Sequence, residues 1–159
     1  VLGGSKADKV SYLDFLQDWA DTTLVGGKLP VDIKKQSIDY DPAKINVAKL
    51  NEQQLDISKE TINTWESIIE KAASIVWAGP LGKYEQRPNH KGTEKIMQAI
   101  IQSSAYKLAG GGDTHRLISR SDAWQEFDFV SVGGGALLTF LKDQSLLGLE
   151  AVLSSPEVD

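Results

Sequence analysis

The run Gly110-Gly111-Gly112-Asp113-Thr114 gathers residue types that suit a bound phosphate. Glycines lack a Cβ, so the main chain can approach a bulky anion closely. Thr114 falls in the first turn of a following helix, where free amides and the helix dipole favour phosphate oxygens. Asp113 offers a hard oxygen of the kind that holds Mg²⁺ against phosphates, although it also suits an ordinary helix N-cap. Gly133-Gly134-Gly135 repeats the device after another apolar run. Taken singly, it reads equally well as a tight strand-to-helix connection. Gly3-Gly4-Ser5-Lys6 sets a lysine just behind a Gly-Gly turn, with Lys9 about one helical turn further on the same face. Ammonium groups there are either solvated surface charges or point charges that stabilise charge passing between oxygens. Ala78-Gly79-Pro80-Leu81-Gly82 is a rigid turn whose flat apolar surface suits a purine ring, and Glu85 behind it can accept from ribose hydroxyls. Gly-Pro turns are common, so this one is weak alone.

Other chemistries find little support. The chain has no cysteine, which excludes disulfides, thiolate metal sites and cysteine nucleophiles. Its histidines, His90 and His115, show no Ser/His/Asp order and read as surface residues. A formal net charge of -5 over 159 residues argues against a nucleic-acid or anionic-membrane partner. An acidic protein that binds phosphates must therefore concentrate positive charge locally. No apolar run approaches a membrane span, and no secretory pattern opens the chain. The opening Val1-Leu2-Gly3 is already strand and turn, and the only methionine is Met97, so the expectation is a piece of a longer polypeptide.

These turns need strands to carry them. Val1 to Gly4 reads as the tail of a strand, and Ser5 to about Ala20 as a helix with Tyr12, Leu13, Leu16 and Trp19 on one face. Thr23-Leu24-Val25 is a short strand ending at Gly26-Gly27, and Lys28 to Ile33 follows as another strand-like run. Adjacent parallel strands need a crossover. Either these two pair antiparallel through a tight turn, or a segment is absent between Gly27 and Leu29. Residues 34–54 read as loop or irregular edge. Ser58 caps a helix to about Ala72, and Ser74 to Trp77 is a buried strand. A helix from about Gly92 to Ser103, a strand from Tyr106 to Ala109 and a helix from Asp113 to Ser119 follow. A strand over 127–131 and a short helix over 136–141 close the pattern. Trp19, Trp65, Trp77 and Trp124 are expected at core or edge positions. The repeated order predicts an α/β fold: one domain with a doubly wound, mainly parallel, Rossmann-like sheet and helices on both faces.

The motifs occur in the order seen in the phosphoglycerate kinase family. They are Val1 to Lys6, Leu24-Val-Gly-Gly27, Leu29-Pro-Val-Asp32, Leu55-Asp-Ile57, Val76 to Gly82, Lys91-Gly-Thr93, Gly110 to Thr114 and Gly133 to Ala136. The chain resembles that enzyme's C-terminal, nucleotide-binding domain across residues 1–159. The resemblance implies phosphoryl transfer between 1,3-bisphosphoglycerate and ADP, giving 3-phosphoglycerate and Mg-ATP. It implies that Lys6 and Lys9 hold the nucleotide phosphates and the group in flight. Gly4, Gly26, Gly27 and Pro80 would form the adenosine pocket, with Glu85 on the ribose and Gly79 also binding the nucleotide. Asp113 would hold Mg²⁺, and Gly111, Gly112 and Thr114 the phosphates. Gly110, Gly133, Gly134 and Gly135 would meet the transferring group. It further implies a cytoplasmic enzyme, monomeric when complete.

The sequence also departs from that pattern. The family's N-terminal domain, which supplies the basic patch for the phosphoglycerate, is not in this chain, so nucleotide binding with little or no transfer is expected. Between Gly27 and Leu29 stands only Lys28, where the family carries a third glycine, a helix and further chain. The first loop is one residue shorter. Ala78 replaces an asparagine, Ser58 a glycine and Val132 a hydroxyl residue. These substitutions favour an alternative reading as a nucleotide-binding module or pseudoenzyme. Another doubly wound phosphate-binding protein would need a single glycine fingerprint with an acidic residue on the next strand, which this sequence lacks.

Overall fold

A computed structural model describes residues 1–153. Two short parallel ribbons make up the sheet. Thr23–Val25 (β1) pairs with Ile45–Val47 (β2), Thr23 opposite Ile45. Ser74–Trp77 (β3), Tyr106–Gly110 (β4) and Phe129–Ser131 (β5) pair in that order. Leu2 joins the ribbons by parallel bridges to Val25 on one side and Ala78 on the other. Its N–H donates to Leu24 O at 2.8 Å, and the Gly3 N–H donates to Ala78 O at 3.0 Å.

If the Leu2 segment is the first strand, the second and third lie to one side of it and the fourth, fifth and sixth to the other. That is the strand order of the doubly wound dinucleotide-binding sheet. The helices are Leu13–Trp19 (α1), Leu29–Gln36 (α2), Lys59–Ile69 (α3), Lys91–Gln102 (α4), Gly112–Arg120 (α5), Gly134–Asp143 (α6) and Leu147–Leu153 (α7). A 3-10 helix, Ala7–Tyr12, precedes α1.

Side chains alternate across each strand, so the sheet has two apolar faces. Leu24, Ile75, Trp77 and Ala109 pack with Trp65 and Ile69 of α3, Ile96 and Ile100 of α4 and Ile118 of α5. Leu2, Val25, Ile45 and Ala78 face the other way, against Leu13 and Leu16 of α1, Leu29 and Ile33 of α2 and Leu138 of α6. Helices thus cover both faces, and the fold is the Rossmann-like α/β fold expected from the sequence. Trp65 and Trp77 are fully buried, whereas Trp19 and Trp124 are partly exposed. No helix among the described residues is long and apolar enough to cross a membrane.

Local signals explain most boundaries. Ser58 Oγ accepts from the Thr61 N–H at 3.2 Å, which starts α3 where expected. The helix stops at Ile69, short of Ala72. Two expectations fail. Lys28 to Ile33 is not a strand: Leu29–Gln36 is helix α2, with Pro30 in its opening turn, where the missing N–H is harmless, and Leu29 and Ile33 buried one turn apart. Because β1 and β2 are parallel, α2 is itself the crossover, and no antiparallel hairpin forms. The region 34–54 is not all loop, since it contains β2, with Ile45 buried and the Asn46 amide oxygen accepting from Trp65 Nε1 at 2.8 Å. The last strand starts at Phe129, and α6 extends the short helix expected over 136–141 at both ends. Helix α7 was not expected.

Candidate functional site

All described strands run parallel, so the turns that leave their C-terminal ends share one edge of the sheet. The chain after Leu2 enters α1 on one face, and the chain after β3 enters α4 on the other. The crevice between these departures is the topological switch point, where open α/β sheets hold ligands. The Gly3-Gly4 and Ala78-Gly79-Pro80 turns meet there, with Gly4 half-buried and Gly3, Ala78, Gly79 and Pro80 buried beneath it.

Backbone bonds lace these turns together. The Gly4 N–H donates to Pro80 O at 2.7 Å, the Gly27 N–H to Leu81 O at 3.0 Å and the Lys28 N–H to Gly4 O at 3.0 Å. Gly4 and Gly79 have φ of +103° and +105°, a region that costs side-chain-bearing residues strain. Gly26 is packed inward: a Cβ there would stand 2.8 Å from Leu81 Cδ2 and 3.2 Å from Ile57 Cγ2. Of the expected nucleotide residues, Gly4 is half-buried at this edge, and Gly79 and Pro80 are buried behind it. Gly26 lines the core, and Gly27 props the Gly4 turn.

Lys9 crosses the floor of the crevice. Its Nζ donates to Gly3 O at 2.7 Å and to Ala78 O at 2.9 Å. Burial pushes its pKa down from 10.5 to about 8; Asp8 and Asp113 act against this shift, and Lys6 adds to it. Of three ammonium donors, one is left without a protein acceptor among the described residues. Lys6 is exposed at the start of the 3-10 helix, and Glu85 is exposed beyond Gly82. Neither enters an ion pair among the described residues.

The two triple-glycine turns meet at Gly111 and Gly134. A Cβ on Gly134 would lie 2.9 Å from Gly111 Cα, so the backbones approach too closely for any side chain. Gly112 and Gly135 instead face open space at the N-termini of α5 and α6. Free N–H groups at such ends attract anions. Gly110 packs against Leu137, and Gly133 is the N-cap of α6.

Thr114 takes a place the sequence did not reveal. It is fully buried, and its Oγ1 accepts from the Gly79 N–H at 2.8 Å, tying α5 to the Gly-Pro turn. Thr114→Val should leave that N–H unsatisfied and lower stability by about 1–3 kcal/mol, with Thr114→Ser restoring it. Thermal melts of the two variants decide this, and a valine variant as stable as wild type refutes it. Trp77 reinforces the same turn by donating from Nε1 to Gly79 O at 2.9 Å. Thr93 Oγ1 accepts from the Leu81 N–H at 3.0 Å. Asp56 accepts from the Gly92 and Ile57 N–H groups at 2.9 Å each. Burial raises the Asp56 pKa, against those two N–H groups and His90. The bonds from Thr114 to Gly79 and from Asp56 to Gly92 do not follow from local sequence, because their partners lie 35 and 36 residues away.

Among the described residues no group of three or more His, Asp or Glu side chains could cage a metal. Asp113 is a single, partly exposed carboxylate beside the open space at Gly112, paired with Arg116 Nη1 at 3.3 Å. That donor set fits Mg²⁺, which is commonly held by one or two carboxylates together with substrate phosphates.

The family model described as phosphoglycerate kinase matches residues 28–144. A relative named phosphoglycerate kinase from Mycoplasmoides gallisepticum is 43% identical over 102 residues, covering 64% of this chain and 25% of the relative. Another of that name, from Nitratidesulfovibrio vulgaris, is 36% identical over 128 residues, covering 76% of this chain and 33% of the relative. The solved structure of phosphoglycerate kinase from Pyrococcus horikoshii OT3 superposes with a TM-score of 0.77 at 24% identity, over 96% of this chain and 50% of that one. That from Coxiella burnetii gives 0.75 at 24% identity, over 89% and 49%. This chain spans between 25% and half of the length of these proteins.

Proposed function

The chain belongs to the phosphoglycerate kinase family, and from that premise we propose that it carries the Mg-nucleotide half of a phosphoryl transfer between 1,3-bisphosphoglycerate and ADP. The observation that carries this reading is Lys9 at the switch point, an ammonium fixed by two carbonyls with one donor to spare. Adenosine would lie over the Gly4 turn, backed by Gly79 and Pro80, with the exposed Glu85 on the following turn to accept from the ribose. The phosphates run over Lys6 and Lys9 toward the amides of Gly112 and Asp113 at the start of α5, Gly111 donating its own N–H to Ser131 O at 3.1 Å. Gly133 to Gly135 face the group in flight. Asp113 is the residue that would hold Mg²⁺, which supplies charge neutralisation between phosphate oxygens. The chain's own contribution is positioning and fixed positive charge, the main sources of catalysis in phosphoryl transfer.

The phosphoglycerate side would belong to an N-terminal domain, and the expectation for the complete enzyme is a cytoplasmic monomer. Because this chain spans half or less of its relatives, its own expected behaviour is nucleotide binding without appreciable transfer. Calorimetric titration tests this. MgADP should bind, and Lys6→Ala should weaken it about tenfold, the loss of a charge-assisted bond of roughly 1.5 kcal/mol. No heat at millimolar MgADP refutes the reading.

A further inference from the structure

The Asp113 carboxylate does not stand alone. Arg116 Nη1 donates to Asp113 Oδ1 at 3.3 Å, from one turn further along α5. The i,i+3 spacing keeps both side chains on one helix face. Tyr84, from the turn that also carries Glu85, lies in the same field. Burial and the charges of Asp113 and Glu85 raise its phenol pKa, and Arg116 opposes them. The guanidinium is thus a cation set where α5 and the Glu85 turn come together, with Lys83 on that turn and Lys9 also in the field of Asp113. The pair is solvated, with Arg116 71% and Asp113 47% exposed. Pairs of that kind add little stability, so this one can exchange partners without disturbing the fold.

We propose that Arg116 is a positioning residue, a built-in counter-cation for Asp113 that lessens the dependence of nucleotide binding on divalent metal. This rests on the Mg-nucleotide reading of the site. A bare carboxylate beside incoming phosphates repels them. Arg116 compensates that charge, so metal-free nucleotide meets Lys6 and Lys9 beside a neutralised pair rather than beside an unpaired anion. A metal ion must in turn compete with the guanidinium for Asp113 Oδ1. Metal-free nucleotide therefore binds better, and metal-bound nucleotide worse, than either would with Asp113 unpaired.

The test is calorimetric titration with ADP in chelator and with MgADP, on wild type, Arg116→Ala, Arg116→Lys and Asp113→Asn, with melting curves as fold controls. The ratio of metal-free to metal-bound Kd should rise about two- to fivefold in Arg116→Ala, the range of an exposed pair. Arg116→Lys should recover part of the wild-type ratio. In an Asp113→Asn background, Arg116→Ala should leave the ratio unmoved. Mn²⁺ binding followed by electron paramagnetic resonance should tighten in Arg116→Ala. An unchanged ratio in Arg116→Ala overturns the proposal while leaving the nucleotide site standing, as does a shift that persists without Asp113. A wild-type chain that binds neither form of ADP overturns the nucleotide reading and the proposal with it.

Discussion

Gly79→Ala will both destabilise the domain and remove nucleotide binding. The new Cβ would stand 2.6 Å from the Gly3 carbonyl carbon and 2.8 Å from Lys9 Nζ, at a φ of +105°. Neither neighbour can retreat cheaply. Gly3 is held by its bond to Ala78 O, and Lys9 by bonds to Gly3 O and Ala78 O. Backbone strain alone costs roughly 1–3 kcal/mol, and prising the two turns apart adds to it, for a total of about 3–5 kcal/mol. In a domain of this size that lowers Tm by roughly 10 °C. Differential scanning calorimetry with and without MgADP checks both parts. A variant that melts with wild type, or keeps its ligand-induced shift, shows that the crevice is looser than described.

Lys9→Met separates binding from stability. The buried ammonium, with its pKa down from 10.5 to about 8, costs the native state roughly 3 kcal/mol at neutral pH. Removing it relieves that cost. Ala78 O keeps the Gly3 N–H, while Gly3 O loses its donor at about 1–3 kcal/mol. The net change in stability should therefore be small, while nucleotide affinity falls at least about tenfold. The pH dependence follows from the same group. Between the folded value of about 8 and the usual 10.5, the unfolded chain binds more protons at Lys9 than the native state does. Stability should thus rise as pH climbs through that interval. Affinity should fall over the same interval, because the phosphates need the ammonium. Opposite slopes in wild type, both flattened in Lys9→Met, are the expected signature. Parallel slopes would place the titrating group elsewhere.

How much of this was legible in the sequence depended on how local each cause was. Ser74 to Trp77 and Tyr106 to Ala109 were readable because apolar runs bounded by turn residues announce buried strands. Ser58 was readable because a cap acts within one turn. Helix α2 was misread because Leu29, Val31 and Ile33 alternate as a strand does. The contrary signs were also present: Pro30 and Asp32 in the opening turn, Lys34 and Lys35 in the last. β2 was lost because a three-residue strand set among charged neighbours has no period to detect. The glycine turns declared their chemistry, since close backbone approach is intrinsic to the residue. Thr114, Lys9 and Asp56 declared only donors and acceptors. Their partners, Gly79, Ala78 and Gly92, lie tens of residues away and become neighbours through the strand order.

Leu2 gives that order a mechanical meaning. The segment Val1 to Gly4 stitches the two ribbons, with Leu2 bridging both, and the crevice opens directly above the stitch. The floor of the site is therefore also the seam between the two ribbons. A nucleotide seated over the Gly4 turn would work as a clasp across that seam. The domain should then be stiffer with the site full than with it empty.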